Sequence, residues 1–121
     1  MRYLCLVHTE AEPFSDMSET EKRQLDRDSL NYDKELEAAG HYLGAEALQG
    51  PESAMIVKVR NGETSTTDGP FSETKEHLGG FILIEARDMN EAIRLASGIP
   101  MARVGTIEVR PVYQIPDPDR P

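Results

Sequence analysis

Gly79-Gly80-Phe81-Ile82-Leu83-Ile84 is a run without one polar side chain. A strand with no polar face is covered on both faces, so this run predicts a central strand. Arg2-Tyr3-Leu4-Cys5-Leu6-Val7-His8 reads the same way and predicts a second one. Working back from Gly79, Asn61-Gly62 is the strongest short hairpin signal in the chain, because both residues accept positive φ. It joins Ala54 to Arg60, where Met55, Val57 and Val59 alternate with Ile56, Lys58 and Arg60, to the polar, Thr-rich stretch Glu63 to Thr67. His41 to Leu48 predicts another strand, broken by Gln49-Gly50-Pro51. Thr106 to Tyr113 predicts the last, with Ile107, Val109 and Val112 set against Glu108 and Arg110.

Two helices separate these strands. A polar connection follows the first strand, and then Ser18 and Glu21 form an S-x-x-E capping box. Leu25, Ser29, Tyr32, Leu36 and Ala39 follow at helical spacing, with Leu30 off that stripe, either exposed or meeting a second surface. Gly40 stands where a glycine stop belongs. Asp88 with Glu91 repeats the capping pattern, and Met89, Ala92, Ile93 and Ala96 give a short amphipathic helix stopped by Gly98 and Ile99-Pro100. With the hairpin at residues 53–68 treated as an insertion, the order is βαββαβ, a ferredoxin-like α+β fold with two helices on one face of an antiparallel sheet. The other face, crossed by two strands with no polar side, needs a cover. A second copy packed sheet to sheet supplies it, giving a homodimeric α+β barrel. Residues 1–115 form one domain, and the polar, Pro-rich 116–121 a loose tail.

At 121 residues there is room for one core. The net charge of -9 argues against nucleic acid, whose phosphates call for clustered Lys and Arg. Glu10 to Glu37 holds ten acidic residues against four basic ones, so it supplies -6 of that total, the pattern of a solvated helix face. No apolar run reaches the roughly 20 residues that span a bilayer, the N-terminus reads as a strand and not a secretion signal, and the single Cys5 fits a reducing, cytoplasmic setting.

Thr66-Thr67-Asp68-Gly69-Pro70-Phe71-Ser72-Glu73-Thr74-Lys75-Glu76 combines a rigid turn with dense chemistry. As a site, Asp68 acts as general base or anchor, Phe71 excludes water, and Glu73, Lys75 and Glu76 orient a polar ligand. As a plain turn, Asp68 caps it, Phe71 plugs the core, and the charges are solvated. Of His8, His41 and His77, His41 is the best partner for Asp68, since its strand is expected beside the inserted hairpin. Arg103, Glu108 and Arg110 form a third group, in which an Arg either pairs with Glu73 or Glu76 or clamps a ligand carboxylate. No residue spacing predicts a metal site, no motif predicts a cofactor, and Cys5 reads as packing.

Asp68-Gly69-Pro70-Phe71 with its flanks to Glu76, then Leu78-Gly79-Gly80-Phe81, closely resembles the YCII-related family in its DGPF branch. Arg2 to Leu6, Gly44-Ala45-Glu46-Ala47-Leu48 and Ile107 to Val112 extend the match over nearly the whole chain. The resemblance implies a ferredoxin-like dimeric α+β barrel. Other branches resemble small-molecule lyases and isomerases that use a His–Asp pair in the barrel pocket, and here Asp68 is the natural acidic member, while His8 and His77 stand where the branch carries other residues. Members also occur beside extracytoplasmic-function sigma factors. Three functional readings follow: an acid–base enzyme acting on an unidentified small molecule, a non-catalytic ligand-binding or regulatory module, and a structural dimer motif.

Overall fold

The two apolar runs lie side by side at the centre of one sheet in the computed structural model, which describes residues 1–10 and 16–120. β1 (Arg2–Glu10) runs antiparallel to β5 (Glu76–Glu85), pairing Leu4 with Leu83 and Leu6 with Phe81. β2 (Tyr42–Ala47) flanks β5 and β6 (Thr106–Pro111) flanks β1, so the order is β2-β5-β1-β6 with every neighbour antiparallel. α1 (Glu19–Ala38) connects β1 to β2, and α2 (Met89–Ser97) connects β5 to β6. This is the ferredoxin-like arrangement. The inserted hairpin, β3 (Met55–Arg60) and β4 (Glu63–Asp68), forms a separate two-stranded sheet and turns through Asn61 (φ 53°) and Gly62 (φ 76°). The connection after β1 lies mostly outside the described residues, as does Pro121 of the tail.

Local chemistry fixes the helix ends. Ser18 accepts from the Glu21 N–H (3.1 Å) while Glu21 accepts from the Ser18 N–H (3.3 Å), completing the capping box. At α2 only half of it forms: Asp88 accepts from the Glu91 N–H (2.9 Å), but the Glu91 carboxylate reaches past the cap to the Arg87 N–H (2.9 Å). The buried stripe of α2 is Ala92, Leu95 and Ala96, continued by Ile99, whereas Ile93 is 53% exposed. Ile93 is one residue from Ala92, about 100° around the helix, and falls outside the arc that touches the sheet.

β5 begins at Glu76, well before its apolar stretch, and β1 continues to Glu10. Thr9 pairs with His77 and Glu10 with Glu76, because ladder hydrogen bonds between neighbouring backbones do not require apolar side chains. Alternation then sorts the sheet. Tyr3, Cys5 and Val7 of β1 and Ile82 and Ile84 of β5 are buried under the helices, against Leu36, Ala92, Leu95, Ala96 and Ile99. Leu4, Leu6, Phe81 and Leu83 point to the opposite face and are only half-buried, so within one chain the central strands are covered on one side alone. Burial pushes the Cys5 thiol up to about 11, which leaves little thiolate at neutral pH. Among the described residues no helix is long and apolar enough to cross a membrane.

Candidate functional site

Small residues leave space between α1 and the sheet. Ala45, Ala47, Gly79 and Gly80 all lie around a cleft of about 850 Å3, within the range of small-molecule sites. Gly80 is required by the approach of β2, since a Cβ there would lie 2.7 Å from the Glu46 carbonyl oxygen. One wall is the α1 surface of Asp26, Ser29, Leu30, Tyr32 and Asp33. Val7, Tyr42 and Ile82 line the sheet side, Gln49-Gly50-Pro51 and Ile99-Pro100-Met101 the margins, and His77 and Glu10 the end where β1 and β5 begin to pair. A second hollow, about 260 Å3, lies between α1 and Arg103-Val104.

The cleft holds titratable groups in altered surroundings. Burial raises the Asp33 carboxyl above the ordinary aspartate range, and no cation compensates it. The Tyr42 phenol is raised first by desolvation and then by the charges of Asp33, Glu37 and Glu46. Tyr32 is raised by burial and then by Glu35, and its hydroxyl donates to the Leu95 carbonyl (2.5 Å), tying the cleft wall to α2. An acid whose pKa is raised by folding binds more protons in the native state, so it lowers stability once pH exceeds that folded pKa. Asp33→Asn therefore raises the melting temperature at pH 7, by a small amount because the group is partly solvated. The gain fades as pH falls through the folded pKa and is gone below the unfolded value of about 3.9. Melting curves of both proteins between pH 3 and pH 8, roughly bracketing that window, measure it directly.

Of the residues singled out from the sequence, His77 lines this cleft, and the others are placed elsewhere. Asp68 ends β4 opposite Met55, exposed, and the following Gly69 N–H donates to the Ala54 carbonyl (2.8 Å). Gly69 is needed there, because a Cβ would sit 2.7 Å from that of Ala54. His41 lies before β2, with Nδ1 2.8 Å from the Glu85 carbonyl, and no hydrogen bond joins it to Asp68. The hairpin pairs with itself and not with β2, which is why the expected neighbourhood does not arise. Phe71 is 78% exposed, so within one chain it neither plugs the core nor shields a pocket. Glu73 is exposed, and Lys75 pairs with Glu10 (3.4 Å). Glu76 accepts from the Thr106 hydroxyl (2.9 Å) instead of meeting an arginine. Arg103 pairs with Asp28 (3.3 Å) beside the smaller hollow, and Gln24 and then Arg103 hold Asp28 below the usual carboxylate range. Arg110 is exposed, opposite Leu4, on the sheet face away from the helices.

One histidine–carboxylate pair does form, on residues with different partners from those expected. His8 Nε2 lies 2.9 Å from Glu108 Oε1 across the β1–β6 ladder, on the face carrying Leu6 and Phe81. Only the strand register brings these two together, and the sequence does not print a register. Asp26, Ser29, Leu30 and Asp33 are a different matter: their spacings of three, one and three place them on one side of a helix. That second stripe, with two acids and the off-pattern Leu30, was the available signal for the cleft wall.

An antiparallel α+β sheet with a small-molecule-sized cleft under its first helix defines the class of protein. The chain belongs to the YCII-related domain family, whose model matches residues 1–116. It is also 32% identical over 114 residues to an uncharacterized protein of Rhizobium meliloti (strain 1021), an alignment covering 93% of this chain and 92% of that one.

Proposed function

We propose that this protein binds a small organic molecule in the cleft between α1 and the sheet, and that it does so as a cytoplasmic homodimer of the DGPF branch. The observation that carries the reading is the cleft itself: about 850 Å3, walled by apolar and aromatic side chains, with Asp33 and other polar groups reaching it. The raised Asp33 carboxyl adds support, since a partly desolvated carboxylate with no cation beside it is a cost that folding alone gives no reason to retain. The half-buried row Leu4, Leu6, Phe81 and Leu83 supports the dimer, as sheet-to-sheet packing removes that row from water.

A metabolite-library thermal-shift screen tests the binding. A ligand at a hundred times its dissociation constant stabilises the native state by about 2.7 kcal/mol, a shift of several degrees for a chain of this size. A library with no stabilising compound at millimolar concentration would count against the cleft as a site. Acid–base catalysis is the second reading, favoured by Asp33, Tyr42 and His77 lining one cleft. It predicts that Asp33→Asn loses turnover even at saturating ligand, whereas a pure binding module shows no turnover to lose.

A further inference from the structure

We infer that the cleft takes an organic cation, an amine or quaternary ammonium on an apolar body, with the charged nitrogen held on the Asp26–Asp33 wall of α1. The inference rests on the reading of the cleft as a ligand site and names the chemistry that site selects. Asp26 and Asp33 line it from α1, Glu10 and Glu46 lie at its sheet margins, and no Lys or Arg lines it. The chain has 13 Lys and Arg in total, and residues 11–15, outside the described part, include none. Glu10 is matched by Lys75 at 3.4 Å, but Asp26, Asp33 and Glu46 form no ion pair among the described residues. Arg103, close in sequence to the margin at Met101, is held by Asp28 instead. An anionic ligand would therefore enter a field of uncompensated carboxylates with only His77 to meet it.

Among the described residues no three His, Cys, Asp or Glu side chains are grouped to hold a metal ion, so the lining suits an organic cation better than a bare one. Tyr32 and Tyr42 line the cleft beside the acids, and aromatic faces attract organic cations where a metal would seek oxygen donors. Burial of Asp33 sharpens the preference: a cation docking there compensates a carboxylate that the fold leaves unmatched. The carboxylate-clamping role expected of Arg103 or Arg110 is not available in this cleft, since neither lines it.

The test uses three probes of similar shape, phenethylamine, phenethyl alcohol and phenylacetate, titrated calorimetrically into the full chain at low salt. The expected order is the amine tightest, the alcohol weaker by about tenfold or more, and the carboxylate weakest. Asp33→Asn should reduce amine affinity by about ten- to a hundredfold and leave the alcohol unchanged, with circular dichroism confirming the fold. Ser29→Phe, which fills the cleft, should abolish all three. If the alcohol or the carboxylate binds as well as the amine and is lost in Ser29→Phe, the site stands and the charge assignment is overturned. If the amine binds equally to both variants, it sits elsewhere on this acidic surface and the inference falls. If neither the probes nor the library bind, the cleft reading fails and this inference with it.

Discussion

Ile84→Ala lowers the free energy of unfolding by about 2–5 kcal/mol, a large share of the roughly 5–15 kcal/mol that a domain of this kind possesses. Ile84 is 1% exposed near the C-terminal end of β5, paired with Tyr3 on one side and Tyr42 on the other. It packs in the cluster that holds Leu36 of α1 and Ala92, Leu95 and Ala96 of α2, so truncation opens a cavity that two helices and three strands would have to close together. Close-packed interiors relax only in part, and the loss combines transfer and cavity terms. Urea denaturation measures the change. Ile93→Ala is the matched control: its side chain is 53% exposed, and the cost stays within about 0.5 kcal/mol although the residue type is the same. Similar losses at both positions would mean that the helix α2 stripe is assigned wrongly.

Phe81→Asp should convert a dimer to a monomer. Phe81 stands opposite Leu6 and Glu46 on the sheet face turned away from the helices, near the middle of the half-buried row. A sheet-to-sheet interface would bury an unpaired carboxylate there, at a cost of several kcal/mol per protomer pair, enough to shift dissociation by orders of magnitude. Within one chain the same substitution places charge on an accessible face and leaves the helix-side core intact. Light scattering should give twice the 13.5 kDa chain mass for the unmodified protein and the single mass for the variant, with unchanged secondary structure. A monomeric unmodified protein would remove the barrel from the account while leaving the fold untouched.

These expectations rest on features of unequal legibility. The βαββαβ order was legible because each transition has a local chemical mark: Ser18 with Glu21 at the start of α1, Asn61-Gly62 at the hairpin, and the unbroken apolar runs at the two central strands. Composition drew attention to the Asp68 to Glu76 stretch, which looked like a site because aromatic, acid and base occur together in it. In the fold those groups separate, with Phe71 and Glu73 exposed, Lys75 on Glu10, and Glu76 under Thr106. The cleft is different in kind. It comes from a void between α1 and a sheet patch of Ala and Gly, and small residues are silent in a pattern of polar and apolar letters. The His8–Glu108 pair is hidden for a related reason: 100 residues separate its members, and only the ladder sets their separation in space.

The proposed ligand site is the cleft and not the Asp68 loop. Affinity for one library ligand, measured by calorimetry in Ser29→Phe and Asp68→Asn side by side, tests this most directly. Binding lost in Ser29→Phe and unchanged in Asp68→Asn is the predicted result. Binding unchanged in Ser29→Phe and lost in Asp68→Asn would contradict it and return the site to the loop.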